Sequence, residues 1–165
     1  MRARSISHAG IAALIAVVAW GGVLAALVSQ HVFDLQPCPW CIIQRLAYLL
    51  VGLFALLSLF ATQSSLWARL PLLLAGVAAA AGLAGALYQH FVAAETASCA
   101  FTAADRFLMA TGLDELLPSV FKATAACDEA NAPMLGLPYS LWSAALAVLL
   151  LALVARAMHR AGIRT

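Results

Sequence analysis

Charge is scarce in this chain. Only 10% of its 165 residues are charged, against 65% hydrophobic, whereas soluble domains usually carry about 25% charged and about 45–50% apolar residues. That shortage excludes a water-solvated globule, because lipid has to face most of the surface. A concentrated basic face is also missing. The net charge of +2 is the small balance of nine basic and seven acidic residues and leaves no footprint for nucleic acid. No sequence repeat, low-complexity tract or linker interrupts the chain, so a single domain is expected over residues 1–165.

What is present in quantity is long apolar runs. A bilayer core about 30 Å thick needs about 20 apolar residues per helix. Four runs of that length occur, at residues 9–29, 42–62, 70–93 and 137–158. Hydrocarbon offers no partner for backbone polar groups, so each run is expected to be helical, and short connections make neighbours antiparallel. The expected fold is an all-α integral membrane protein, a four-transmembrane-helix bundle with two external cysteine-bearing loops, 30–41 and 94–136. The first run follows Arg2 and Arg4 and has the look of a signal peptide. It is longer than the usual apolar core of about 7–15 residues, and no small-x-small site stands out after Ser29, so a membrane anchor is expected. In the third run, Gly76, Ala80 and Ala84, or Ala81 and Gly85, offer small faces for close helix packing.

The charges separate by side. Arg2, Arg4, Arg69, Arg156, Arg160 and Arg164 flank the runs on one side, whereas the opposite loops hold only Arg106 and Lys122. All seven acids lie in those opposite loops: Asp34, Glu95, Asp105, Asp114, Glu115, Asp128 and Glu129. The positive-inside rule makes the arginine-rich side cytoplasmic. Cys38, Cys41, Cys99 and Cys127 therefore all face away from the cytosol, where disulfides are permitted.

Cys38 and Cys41 form a C-x-x-C at the start of the second run, where free amide groups and the helix dipole favour an anion. Arg45 follows Cys41 by one helical turn and adds a positive charge. Both thiols are expected to react more readily at mildly acidic pH than an ordinary thiol. A C-x-x-C can also be half of a zinc site, but Cys99 and Cys127 lack zinc-ribbon spacing, and no metal is expected. The second pair can be a structural disulfide or can exchange electrons with a protein partner. Between them an amphipathic stretch suited to the membrane interface, broken at Gly112 and Pro118, is expected to form two short pieces. Gln44 and Arg45 near the start of the second run lie at the same depth as Gln89 and His90 near the end of the third. Arg45 is shallow enough to snorkel to the headgroups.

This arrangement resembles the disulfide bond formation protein B (DsbB) family of membrane quinone reductases that reoxidise the periplasmic thiol oxidase DsbA. The likeness covers nearly the whole chain. It rests on four runs, on Cys38, Cys41 and Arg45, on the loop pair Cys99 and Cys127, and on Leu135-Gly136-Leu137 with Trp142 at the last run. The resemblance implies that Cys99 is attacked by the reduced partner, Cys127 is its loop mate, Cys38 receives electrons from Cys127, and Cys41 faces the quinone. It implies that Arg45 and His90 serve the quinone site, with ubiquinone or menaquinone as the cofactor. The implied partners are a DsbA-like periplasmic thiol oxidase and the quinone pool of a bacterial inner membrane, with both termini cytoplasmic and the cysteine loops periplasmic. A vitamin K epoxide reductase-type enzyme also couples a C-x-x-C to loop cysteines, but there the active pair lies in a late helix. A membrane scaffold or metal-binding protein with structural cysteines is the non-enzymatic alternative.

Arginine asymmetry generates the first prediction. A reporter fused after Arg69 should behave as cytoplasmic, and one inserted within residues 100–126 as external. The reverse pattern would invert every assignment of the loops.

Overall fold

The apolar runs become four long helices in the computed structural model, which describes residues 8–60, 66–95 and 102–162. These are α1 (His8–Val32), α2 (Pro39–Phe60), α3 (Leu66–Tyr88), continued by a π-helical turn at Gln89–Ala93, and α8 (Tyr139–Gly162). All four span the membrane by length and apolarity, as Ala9–Val32, Pro39–Phe60, Arg69–Ala93 and Tyr139–Arg160. Each successive pair is in contact, and α8 returns to α1, which closes the bundle.

Helical spacing makes the core. Ile11, Ile15, Ala19 and Val23 recur every fourth residue on one face of α1, and all are buried. They meet Tyr48, Val51 and Ala55 from α2, Leu72, Ala75 and Ala79 from α3, and Ala147, Leu150 and Val154 from α8. Val17, Leu24, Val77 and Val148 point outward, where lipid is their solvent. The close-packing stripe of α3 keeps the two glycines of the expected faces, Gly85 buried and Gly76 half-buried, but not their alanines. Ala80, Ala81 and Ala84 are exposed, whereas Ala75, Ala79, Gly82 and Ala86 are buried. A Cβ at Gly82 would approach Tyr48 Cε1 at 3.0 Å. So many alanines line this helix that the incoming large side chains, not α3 itself, select the face.

Three span boundaries move for local reasons. α1 runs to Val32, beyond the expected end at 29. α2 starts at Pro39, ahead of 42, because proline fits the first helical turn and the Cys38 carbonyl accepts the Ile42 amide at 3.2 Å. α8 starts at Tyr139, after 137, because Leu137–Pro138 (β2) pairs antiparallel with Pro133–Met134 (β1). Leu135 and Gly136 turn that hairpin with φ of 53° and 83°, the left-handed geometry of a two-residue loop.

The connection between α3 and α8 forms α4 (Ala103–Thr111), α5 (Leu113–Leu116), α6 (Pro118–Phe121) and α7 (Cys127–Ala130). The amphipathic stretch is thus three pieces, not two. Gly112 ends α4 at φ 64°, and Pro118 forces a new start after Leu117. Thr102 and Asp105 cap α4 reciprocally. Leu108 and Phe121 pack on Ile42, and His31 Nε2 lies 3.1 Å from the Ser119 carbonyl, which fixes this cover across the end of the bundle.

Gly52 is where α1 and α2 approach most sensitively. The Trp20 indole lies where a Cβ on Gly52 would stand, and its Nε1 donates to the Leu49 carbonyl at 3.3 Å. Gly52→Leu should therefore cost about 1–3 kcal/mol through overpacking, read as a melting temperature several degrees lower in detergent. Gly21→Leu adds a side chain where nothing lies within 4 Å of the new Cβ and should leave melting near the parental value.

Candidate active site

Three sulfurs converge at the N-terminal end of α2. Cys38 ends the connection from α1, Cys41 lies in the first turn of α2, and their Sγ atoms are 3.3 Å apart. Cys127 opens α7, and the Thr124 and Ala125 amides donate to the Pro37 carbonyl at 2.9 and 3.2 Å. Those two bonds pin the approach to Cys127 against the residue before Cys38. The three sulfurs are buried together with Ala93, beside Trp40 and Ala130. Cys99 lies outside the described residues.

The cluster does not share protons evenly. Hydrogen bonding to Cys127 and then to Cys41, added to burial, pushes the Cys38 thiol well above its ordinary range. The same bond from Cys38 holds Cys127 below its ordinary value. Cys38 is thus the proton holder, opposite to the activation expected from the motif. The reason is tertiary: the loop delivers a second sulfur acceptor to Cys38.

Arg45 does not snorkel. It is 5% exposed, with Nη1 donating to Gln30 Oε1 at 2.6 Å and to the Val120 carbonyl at 3.0 Å, and Nη2 to the Ala26 carbonyl at 3.5 Å. Its Nε is buried and has no hydrogen-bond partner among the described residues. An unsatisfied buried donor is costly unless something accepts from it. Arg45 and Cys41 both line a cavity of about 230 Å³ between α1, α2 and α8. Tyr48, Tyr139, Trp142 and Ser143 complete its aromatic and hydroxyl-bearing wall. The Tyr48 hydroxyl donates to the Ser143 carbonyl at 2.8 Å, and Trp142 Nε1 donates to the Met134 carbonyl at 3.0 Å, so the β1–β2 hairpin is tied to the wall.

Equal depth of the two polar pairs becomes direct contact for only one of them. Gln44 Nε2 donates to Gln89 Oε1 at 2.7 Å, and Gln89 Nε2 donates to Cys41 Sγ at 3.2 Å. His90 turns elsewhere: its Nδ1 lies 3.1 Å from Ser140 Oγ, and its ring meets Phe91 edge-on at 4.8 Å. It is not in the wall of the Arg45 cavity. Sequence reasoning had no role for Tyr48, Tyr139 or Gln30. Tyr48 carried a usable signal, standing one turn beyond Arg45, but Gln30 and Tyr139 reach the site only through folding.

A membrane-embedded helical bundle whose cysteines meet at one end of a helix defines a thiol–disulfide oxidoreductase of the membrane. The sequence model of the family described as Disulfide bond formation protein DsbB matches residues 8–157, and the chain belongs to that family. It is 38% identical over 132 residues to the Disulfide bond formation protein B of Cupriavidus metallidurans, covering 79% of this chain and 80% of that protein. To the Ralstonia nicotianae protein of the same name it is 34% identical over 152 residues, covering 89% and 91%. No solved structure matches. The chain is thus a bacterial membrane protein of disulfide bond formation.

The uneven protons predict uneven chemistry. In the reduced protein a small thiol reagent should modify Cys127 at lower pH than Cys38, because the thiolate is the reacting form. Mass spectrometry of the labelled peptides across pH reads the order, and coincident profiles would contradict it.

Proposed function

We propose that the chain is a thiol:quinone oxidoreductase that reoxidises a DsbA-like periplasmic thiol oxidase. Electrons pass from the partner to Cys99 and Cys127, then to Cys38 and Cys41, and finally to ubiquinone or menaquinone. In this reading the protein lies in the bacterial inner membrane with both termini cytoplasmic and the cysteine loops periplasmic. The observation that carries it is the buried, unpartnered Nε of Arg45, in a side chain that shares a cavity wall with the redox-motif cysteine Cys41.

The residues present fit a quinone head. The Arg45 donor suits a carbonyl oxygen, and the wall of Tyr48, Tyr139 and Trp142 suits a flat ring. A volume of about 230 Å³ lies below the roughly 300–1,000 Å³ of drug-sized sites, which suits a head group whose tail stays in lipid. A bound quinone supplies a two-electron acceptor there. Cys41 and Arg45 line the cavity together, so the guanidinium charge favours negative charge developing there. Cys38, in contact with both Cys127 and Cys41, stands where a disulfide can be handed from one pair to the other by thiol exchange. His90 acts at one remove, holding Ser140 at the start of α8 next to Tyr139 of the wall.

Arg45 supplies the test. Quinone reduction by a reduced partner thiol is measured while quinone concentration is varied. Arg45→Met should weaken apparent quinone affinity by about tenfold or more, the scale of one lost hydrogen bond to a charged group. Arg45→Lys keeps the charge without the planar donors and should retain more activity. Because Arg45 also ties Gln30 to Val120, melting temperature is recorded alongside. A folded Arg45→Met protein with parental rate and affinity would remove the proposed site.

A further inference from the structure

Two uncharged polar side chains are buried at the cysteine end of the bundle for no reason that packing supplies. Gln44 is 4% exposed and Gln89 is 0% exposed. Buried carboxamides are costly unless their donors and acceptors are used. Here they are used in series, from Gln44 Nε2 to Gln89 Oε1 and from Gln89 Nε2 to Cys41 Sγ. The order fixes the chemistry. With its oxygen already taken by Gln44, the Gln89 carboxamide is held with N–H toward sulfur.

The backbone is distorted at the same place. α3 widens into the π-helical turn Gln89–Ala93, closed by the Ala94 amide donating to the Gln89 carbonyl at 2.9 Å. Such turns are rare and concentrate at functional sites. This one starts at Gln89 itself, so the residue that touches the sulfur is also the residue at which the helix changes.

We propose that Gln89 is a catalytic residue that donates a hydrogen bond to the Cys41 sulfur, with Gln44 as the positioning residue that aims it, so that together they make the Cys38–Cys41 pair more oxidising. A disulfide sulfur is a weak acceptor, whereas a thiolate is a strong one. A fixed donor therefore stabilises the reduced pair more than the oxidised pair, and a pair whose reduced form is stabilised takes electrons more readily. The same environment holds Arg45 on α2, Cys38 before it, Cys127 on α7 and Tyr139 on α8, so variants are compared at one pH.

This deepens the proposed function, resting on the Cys38–Cys41 pair as its redox centre, but the test needs no quinone. The full chain in detergent is equilibrated with glutathione and its disulfide. Two glutathione thiols supply two electrons: the Cys38–Cys41 bond breaks and glutathione disulfide forms. One released proton goes to Cys38, and the other goes to Cys41 or to solvent. Peptide mass spectrometry after alkylation reads the fraction reduced.

Gln89→Met should shift the equilibrium about tenfold toward the disulfide, equivalent to about 30 mV for two electrons. Gln44→Met should shift it in the same direction by less. The double variant should match Gln89→Met alone, because Gln44 acts only through Gln89. Should Gln89→Met fail to fold, the Gln44→Met shift decides the matter. A lower melting temperature with an unmoved glutathione equilibrium, or additive effects of the two substitutions, would overturn the proposal. Failure of quinone turnover would bear on the quinone reading and leave this equilibrium untouched.

Discussion

A guanidinium that cannot reach water has to find its acceptors inside the protein, and much of the cysteine end of this structure is arranged around that demand. Arg45 draws on Gln30 and the Ala26 carbonyl from α1 and on the Val120 carbonyl from α6. Those bonds join two spans and the cover of short helices at one point. Desolvating a charge costs several kcal/mol unless it is well hydrogen-bonded. Extending α1 beyond residue 29 keeps Gln30 on the helix, and the three-piece cover brings the Val120 carbonyl over the end of the bundle. The Nε is left without a partner among the described residues, in a side chain that lines the same cavity as Cys41.

The sulfurs obey a different constraint. Cys38 and Cys41 are held by the first turn of α2, whereas Cys127 is held by two amide bonds to Pro37 and by the short helix it opens. A local motif sets the first spacing and a loop of separate short helices sets the second.

Lipid solvation made the architecture readable. Four runs of about 20 apolar residues permit little besides four helices, and a C-x-x-C followed by an arginine one turn later is visible in any linear reading. The small-residue faces of α3 misled, because Ala80 and Ala84 are chemically the same as Ala75 and Ala79. Only the arrival of Tyr48 and its neighbours distinguishes them. The start of α8 misled for a similar reason: Leu137 and Pro138 are apolar, but pairing with Pro133 and Met134 claims them first.

The sequence by itself determined the solvent, the number of spans, the helical turn that carries Cys41 and Arg45, and the depth shared by Gln44 and Gln89, because these follow from local periodicity and the thickness of hydrocarbon. Tertiary structure decided which groups touch. It brought Cys127 against Cys38 and made Cys38 the proton holder, buried Arg45 when its depth alone allowed it to reach the headgroups, sent His90 to Ser140, and gave Gln89 to Cys41. The physical reason is that depth along a helix is fixed by residue count, whereas direction around it depends on the partners that pack there, and a hydrogen bond needs both.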